Sequence, residues 1–170
     1  MTRRFAGLAL AFCVLLAGRG QAQEIKAGSL VINAPWSRAT PKGAPVGAGY
    51  LTIHNAGTEP ERLLGGHSEA ARDVQVHEMT MDGGVMKMRQ LEAGLVIAPG
   101  ATVELKPGGY HLMLLNLNHP FVKGEKIGIT LDFEHAGKVP VDFAIGGLGD
   151  SGPGQSTGEM KDMGGMKMSH

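Results

Sequence analysis

The sequence predicts an all-β domain, in the simplest case a two-sheet antiparallel sandwich, with a barrel as the alternative. From Ser29 onward, short apolar runs alternate with Gly, Pro, Asn and Asp, which is the pattern of strands joined by turns. Helical periodicity is not sustained in any stretch. The predicted strands are 30–33, 47–54, 61–66, 73–81, 85–91, 95–98, 102–105, 110–117, 127–133 and 138–145.

Residues 1–22 have the features of a cleavable export signal, so we expect the domain to occupy residues 23–146. Arg3 and Arg4 form a basic start, residues 8–17 an apolar run, and small residues end at Ala22, after which we expect cleavage. The apolar run is too short to span a bilayer comfortably, and no later segment approaches such a length. The sequence therefore predicts a periplasmic protein without membrane insertion.

The only cysteine, Cys13, lies inside the apolar run of the signal. Attachment of lipid to it is disfavoured, because Phe12 precedes it and further apolar residues follow. The mature chain then has no disulfide, and it cannot form a blue-copper site, which requires a cysteine thiolate. The absence of thiols suits an oxidising compartment.

The charge excludes one class of partner. The whole chain has 16 basic and 16 acidic residues. Removal of the signal takes away Arg3, Arg4 and Arg19, which leaves a slight acidic excess. The sequence contains no basic patch of the kind that would indicate binding to nucleic acid.

Methionine is confined to two regions of the chain, and this distribution is the main functional signal. Apart from Met1, all nine methionines lie either between residues 79 and 113 or among the last eleven residues. Methionines that fill a core should scatter over all strands. Thioether sulfur together with imidazole favours Cu(I) over metals that prefer oxygen. A methionine-rich core hairpin would show the same alternation, so periodicity alone leaves that alternative open.

The turn after residue 81 predicts which of these side chains lie together. If Asp82-Gly83 is a type I′ loop, Met79 lies opposite Met86 and His77 opposite Met88. All four would then project from one face of the hairpin, with opposed Cβ atoms roughly 4.5 to 5.5 Å apart. His111 and Met113 share a face of a later strand, where we expect an exposed rim. The hairpin and that strand could supply two imidazoles and several thioethers to one ion.

Residues 147–170 are rich in Gly, Ser, Pro and charged residues, which predicts a flexible tail. This tail nevertheless contains four methionines and a terminal histidine. A second copper-binding element is favoured over an inert solubilising extension. Its candidate ligands are Met160, Met163, Met166, Met168 and His170.

Other residues give weaker signals. Trp36 precedes a loop rich in Pro and Gly and is predicted to be a buried aromatic at one end of the domain, with an indole over the metal as the alternative. The turn at 106–109 should deliver His111 into its strand. No catalytic triad, carboxylate pair or phosphate loop can be assembled, so we do not expect an enzyme.

Four segments resemble the periplasmic copper chaperones of the PCu(A)C family: HEM at 77–79, MKMR at 86–89, LKPGGYHLM at 105–113 and APVGAGY at 44–50. The family pattern is a His, ten residues, a Met, about twenty-one residues and His-x-Met. Here ten residues separate His77 from Met88, and twenty-two separate Met88 from His111. The extra residue lies in the connection before residue 109.

The resemblance implies a cupredoxin-like Greek-key β-sandwich that binds one Cu(I) through His77, Met88, His111 and Met113. Met79, Met81 and Met86 are auxiliary candidates only. The implied function is delivery of copper to the copper-bearing subunit of cytochrome c oxidase, beside a Sco-type thioredoxin-fold protein, by a monomer. A copper-sequestering protein without a delivery partner is the alternative.

Overall fold

The computed structural model describes residues 24–153, which form eleven β-strands. In chain order the strands are β1 Glu24–Ala27, β2 Leu30–Arg38, β3 Val46–Asn55, β4 Glu61–Ser68, β5 Ala71–Asp82, β6 Val85–Gln90, β7 Leu95–Ile97, β8 Thr102–Leu105, β9 Tyr110–Leu117, β10 Lys126–Phe133 and β11 Gly137–Gly146. All ten predicted strands are present. The prediction missed β1, which pairs with β2. Two of its four residues are charged, so its sequence lacks the apolar pattern of a strand.

Seven of the strands close into a ring. Around it the order is β5, β9, β3, β2, β11, β10, β4 and back to β5. The all-β prediction is confirmed, and the closed ring corresponds to the barrel alternative. Pairing is antiparallel except between β11 and β2 and between β8 and β9. Strand β6 lies off the ring, hydrogen-bonded to β5 alone among the described strands.

The core fills the inside of this ring and thereby decides which side chains face outward. On β9, Leu112 and Leu114 are fully buried in the core, and Val74 and Val76 of β5 join them. Because successive strand residues point to opposite sides, the residues between them lie on the outer face of the barrel. The candidate ligands His77, His111 and Met113 lie on the outer face of β5 and β9.

Trp36 is a buried aromatic, as predicted. Its ring lies 4.7 Å from that of Tyr50, centroid to centroid, and both side chains are buried. Tyr50 follows Gly49, where an added Cβ would meet Phe143 in the core, so Tyr50 belongs to the outer face of β3. The two aromatic rings therefore cover the outside of the barrel beside β2 and β3.

The folded part extends past residue 146, the predicted end of the domain. The backbone oxygen of Asp150 accepts a hydrogen bond from Arg38 Nε at 2.6 Å, and its buried carboxylate accepts one from the Gly147 N–H at 2.6 Å. The first residues of the predicted tail thus belong to the domain. The predicted signal, Cys13, and the tail residues Met160, Met163, Met166, Met168 and His170 lie outside the described residues. Among residues 24–153 there is no helix long and apolar enough to cross a membrane.

A buried carboxylate makes the stability of the fold depend on pH. Glu61 accepts hydrogen bonds from the backbone N–H groups of Arg62, His135 and Ala136 at 2.7, 3.0 and 2.8 Å. Burial tends to raise the pKa of Glu61, but these donors outweigh burial and hold the pKa below its usual value. A carboxylate with a lowered pKa stabilises the folded state above its unfolded pKa, and this stabilisation is lost as the pH falls through the folded pKa.

We therefore expect the free energy of unfolding to decrease as the pH is lowered below about 4.3. Glu61→Gln removes this acid-dependent contribution and costs roughly 1.5 to 3 kcal/mol at pH 7, because bonds to a charged acceptor are lost. Urea unfolding at pH 7 and pH 3.5 measures both effects. Glu125→Gln, at an exposed position, is the matched control. Equal stabilities for the two variants at pH 7 would contradict the prediction.

Candidate metal centre

The β5–β6 hairpin turns at Gly83-Gly84, one residue later than predicted. Both glycines have positive φ, 58° and 81°. A type I′ turn needs positive φ at both central positions, which glycine adopts without cost and Asp82 would not. The predicted register is therefore wrong by two residues: Met81 lies opposite Met86, Met79 opposite Met88, and His77 opposite Gln90.

A register shift of two residues leaves the faces unchanged, because side chains alternate with a period of two. His77 and the four methionines of the hairpin share one face, as predicted. The opposite face carries charged pairs: Glu78 binds Arg89 at 2.6 Å, and Asp82 binds Lys87. The hairpin thus has a thioether face and a charged face.

Strand β9 brings the other two candidate ligands to the same face. His111 lies directly opposite His77, with ring centroids 5.8 Å apart, and Met113 lies opposite Gln75. The prediction that the hairpin and this strand would place two imidazoles beside several thioethers is confirmed. The assignment of individual side chains as ligands remains a prediction.

The methionines of the hairpin do not fill a core. Met81, Met86 and Met88 are 68, 52 and 49 % exposed. The alternative of a methionine-rich core hairpin is therefore wrong. We expected His111 and Met113 to lie at an exposed rim. This prediction is wrong for His111, which lies on the outer face but is only 5 % exposed, while Met113 is half-buried.

Sequence reasoning missed Gln75, which orients His77. The side-chain oxygen of Gln75 lies 3.0 Å from Nε2 of His77, while Nδ1 of His77 is buried and has no hydrogen-bond partner. An amide oxygen only accepts, so Nε2 carries the proton and Nδ1 keeps its lone pair. The signal in the sequence was the spacing of two residues, which places Gln75 and His77 on one face.

The backbone of the 106–109 turn orients His111 in a similar way. Nδ1 of His111 lies 3.1 Å from the carbonyl oxygen of Gly109, which also accepts the Met79 N–H at 3.1 Å. Because a carbonyl only accepts, Nδ1 donates, and the lone pair of His111 is on Nε2. The Gly109 carbonyl thus links strand β9, which carries His111, to the hairpin, which carries Met79.

Burial and the charge that His111 acquires on protonation both lower the pKa of His77. A lowered pKa keeps the imidazole neutral at a lower pH than an exposed histidine would allow. Only a neutral imidazole can ligate a metal. His77 therefore remains able to bind a metal at a lower pH than an exposed histidine would.

The donor set indicates which metals fit. Within residues 24–153, no group of three or more His, Cys, Asp or Glu residues could hold a metal ion. The site instead combines two imidazoles with neutral thioethers. Zinc sites use thiolates, imidazoles or carboxylates, and Ca²⁺ and Mg²⁺ take oxygen ligands. The soft thioethers favour Cu(I).

Comparison with known proteins identifies sequence relatives over most of the chain. The family model "Putative lipoprotein LpqE-like" matches residues 30–145. A protein of Leifsonia xyli subsp. xyli, "Putative lipoprotein Lxx21020", is 31% identical over 139 residues, which are 81% of this chain and 82% of that protein. An uncharacterised protein of Rickettsia prowazekii is 27% identical over 103 residues, 59% of this chain and 57% of that protein.

Solved structures of PCuAC domains share the architecture. The copper-bound PCuAC domain from PmoF2 superposes with a TM-score of 0.64 at 29% identity, over 74% of this chain and 98% of that domain. The Cu(I) form of DR1885 from Deinococcus radiodurans gives 0.57 at 25% identity, over 76% of this chain and 85% of that one. The resemblance to the PCu(A)C family that the sequence motifs indicate is therefore confirmed.

Proposed function

Since the chain belongs to the LpqE-like family, whose fold here is that of PCuAC domains, we propose that it is a copper chaperone that carries Cu(I) and does not act as an enzyme. The observation that supports this most is the outward cluster of His77, His111 and the methionines on β5, β6 and β9. Two solved relatives with this architecture are described as copper-bound and as a Cu(I) form.

The proposed ligands are His77, Met88, His111 and Met113. The two imidazoles lie side by side, with lone pairs on Nδ1 of His77 and Nε2 of His111. His77 and His111 form a pair across β5 and β9. Along the strand direction, Met113 on β9 lies on one side of this pair and Met88 on β6 lies on the other. The ion would therefore be held between three neighbouring strands rather than on one loop.

This ligand set suits a carrier more than a permanent holder of copper. Thioethers carry neither a proton nor a charge, so they bind Cu(I) less tightly than thiolates do. Met88 is 49 % exposed, which leaves one side of the site open to a recipient. A protein with cysteine ligands can therefore approach and take the ion.

The proposed recipients are the copper-bearing subunit of cytochrome c oxidase and a Sco-type thioredoxin-fold protein. The protein would act in the periplasm as a monomer, after export by the signal at residues 1–22. The family and the Leifsonia relative are named as lipoproteins, which would require lipid on Cys13. The sequence around Cys13 disfavours that attachment, so we propose a cleaved signal instead.

Anaerobic copper transfer tests the chaperone function. The Cu(I)-loaded protein is mixed with a purified copper-free Sco-type protein or oxidase subunit, and the copper on each is measured after separation. We expect most of the copper to move to the cysteine sites. Loss of the gene should lower oxidase activity. Retained copper, together with higher copper sensitivity and unchanged oxidase activity, would indicate sequestration instead.

For the tail we propose a second, weaker copper site formed by Met160, Met163, Met166, Met168 and His170. Ordering such a segment costs roughly 1 to 2 kcal/mol of backbone entropy per residue, so its affinity should be lower than that of the barrel site. Truncation after Pro153 keeps all described residues and should remove one copper equivalent in an anaerobic titration. Equal copper uptake by the truncated and full-length proteins would contradict this proposal.

A further inference from the structure

Two methionines of the hairpin, Met81 and Met86, lie beyond the four proposed ligands, towards the turn. They are directly opposed across β5 and β6, and they are 68 and 52 % exposed. Directly opposed residues have Cβ atoms roughly 4.5 to 5.5 Å apart, so their flexible side chains can bring both sulfur atoms to one ion. They form a pair of soft donors in contact with solvent.

Packing does not explain why this pair is methionine. All six residues of β6 are exposed, and Cβ atoms added at Gly83 and Gly84 would have no neighbour within 4 Å. The tip of the hairpin therefore projects away from the barrel, where large apolar side chains gain little from burial. The charged pairs lie on the opposite face, so the apolar residues Met81 and Met86 do not shield them.

The position of the pair relates it to the main site. Residues on one face of a strand repeat about every 6.6 to 6.8 Å. The Met81–Met86 pair is therefore one repeat beyond the Met79–Met88 pair, which is itself one repeat from His77 and His111. Thioethers thus line one face of the hairpin from the exposed tip to the two imidazoles.

We propose that Met81 and Met86 form an outer, weak Cu(I) site through which the ion enters and leaves the main site. The proposal rests on the proposed copper-carrying function. Two neutral, solvent-exposed thioethers bind Cu(I) more weakly than four converging ligands. An ion held there can pass inward to Met88 or outward to a partner that contacts the tip. Copper remains Cu(I) throughout, so the transfer needs no electron donor or acceptor.

Site-resolved titration tests for the outer site in the full mature chain. The methionine methyl groups are labelled with ¹³C, and Ag(I), a stable diamagnetic ion with similar ligand preferences, is added under NMR observation. The methyl signals of Met88 and Met113 should shift with the first equivalent, and those of Met81 and Met86 should shift together at higher Ag(I). Assigned methyl signals separate this pair from the methionines of the tail.

Unchanged Met81 and Met86 signals up to several equivalents of Ag(I) would overturn the outer site. Shifts of that pair with unchanged Met88 and Met113 signals would leave the outer site standing and overturn the proposed main site. The two hypotheses therefore fail in distinguishable ways.

The kinetic role is tested with the double variant Met81→Leu/Met86→Leu, which keeps the shape of the side chains and removes both sulfur atoms. The matched control is Val85→Leu, on the opposite face of the same tip and 60 % exposed. We expect the rate of Cu(I) transfer to a chelator such as bathocuproine disulfonate to fall about tenfold in the double variant only, equivalent to about 1.4 kcal/mol in the barrier.

A transfer rate equal to that of the control would overturn the role in entry and release. The affinity of the first equivalent is measured in parallel. A loss of that affinity as large as the loss of rate would assign Met81 and Met86 to the main site, and would overturn the outer site as well.

Discussion

We expect replacement of Met113 or Met88, two of the four proposed ligands, with leucine to lower the Cu(I) affinity at least about 100-fold, because loss of a direct ligand should exceed the roughly 10- to 100-fold effect of changing a group behind one. Leucine has nearly the volume of methionine, so the fold should lose less than about 1.5 kcal/mol. Met88 is half-exposed and Met113 half-buried on the outer face, which limits the effect on the core. Anaerobic competition with a coloured Cu(I) chelator measures the affinity.

Met79→Leu is the matched control for these substitutions. Met79 lies directly opposite Met88 on the same face but is not one of the four proposed ligands. We expect its replacement to change the affinity less than tenfold, a difference below about 1.4 kcal/mol. An equally large loss for Met79→Leu would show that the ligand set differs from the proposed one. X-ray absorption with only nitrogen and oxygen neighbours would exclude thioether ligands altogether.

The second large effect is expected at Gln75, which touches His77 rather than the metal. Gln75→Leu removes the acceptor for the Nε2 proton of His77, so the proton is free to occupy Nδ1, the atom with the unpartnered lone pair. Groups that orient a histidine ligand typically contribute 10- to 100-fold to metal affinity. We expect the Cu(I) affinity to fall in that range while the free energy of unfolding changes little.

Two further observations separate positioning from a general structural effect. Gln75→Glu keeps an oxygen acceptor and should restore most of the affinity. Imidazole ¹⁵N chemical shifts of the metal-free protein should show the Nε2–H tautomer of His77 in the parent chain and a mixture in Gln75→Leu. Gln90→Leu, directly opposite His77 on β6, is the control. A normal affinity or an unchanged tautomer in Gln75→Leu would contradict the assigned role.

Local patterns in the sequence were enough to predict ten of the eleven strands and the shared face of the candidate ligands. Alternation places His111 with Met113 in any register, and it places His77 with the hairpin methionines in any register that differs from the true one by an even number of residues. The register itself was wrong because the prediction used Asp82-Gly83, whereas Gly83-Gly84 satisfies the turn with no backbone strain. An error of two residues changed which residues lie opposite each other across the hairpin, but it did not change which residues share a face.

Other features depend on residues far apart in the chain. The direct opposition of His77 and His111 follows from the pairing of β5 with β9, and closure of the ring follows from the pairing of β4 with β5. The place of Asp150 in the domain depends on a contact with Arg38, on the second strand. The local sequence around each of these residues does not indicate which distant residues it contacts.

The pairing of β5 with β9 makes copper uptake a property of the completed fold. His77 and His111 are neighbours only after strands from distant parts of the chain have joined, and the Gly109 carbonyl then fixes both strands through Met79 and His111. An unfolded chain cannot offer this pair of imidazoles. A ligand that binds only the folded chain raises its stability by about 2.7 kcal/mol at a free concentration of 100 times the Kd. Copper bound at the proposed site would therefore stabilise the folded chain, and the metal-free protein would unfold more readily.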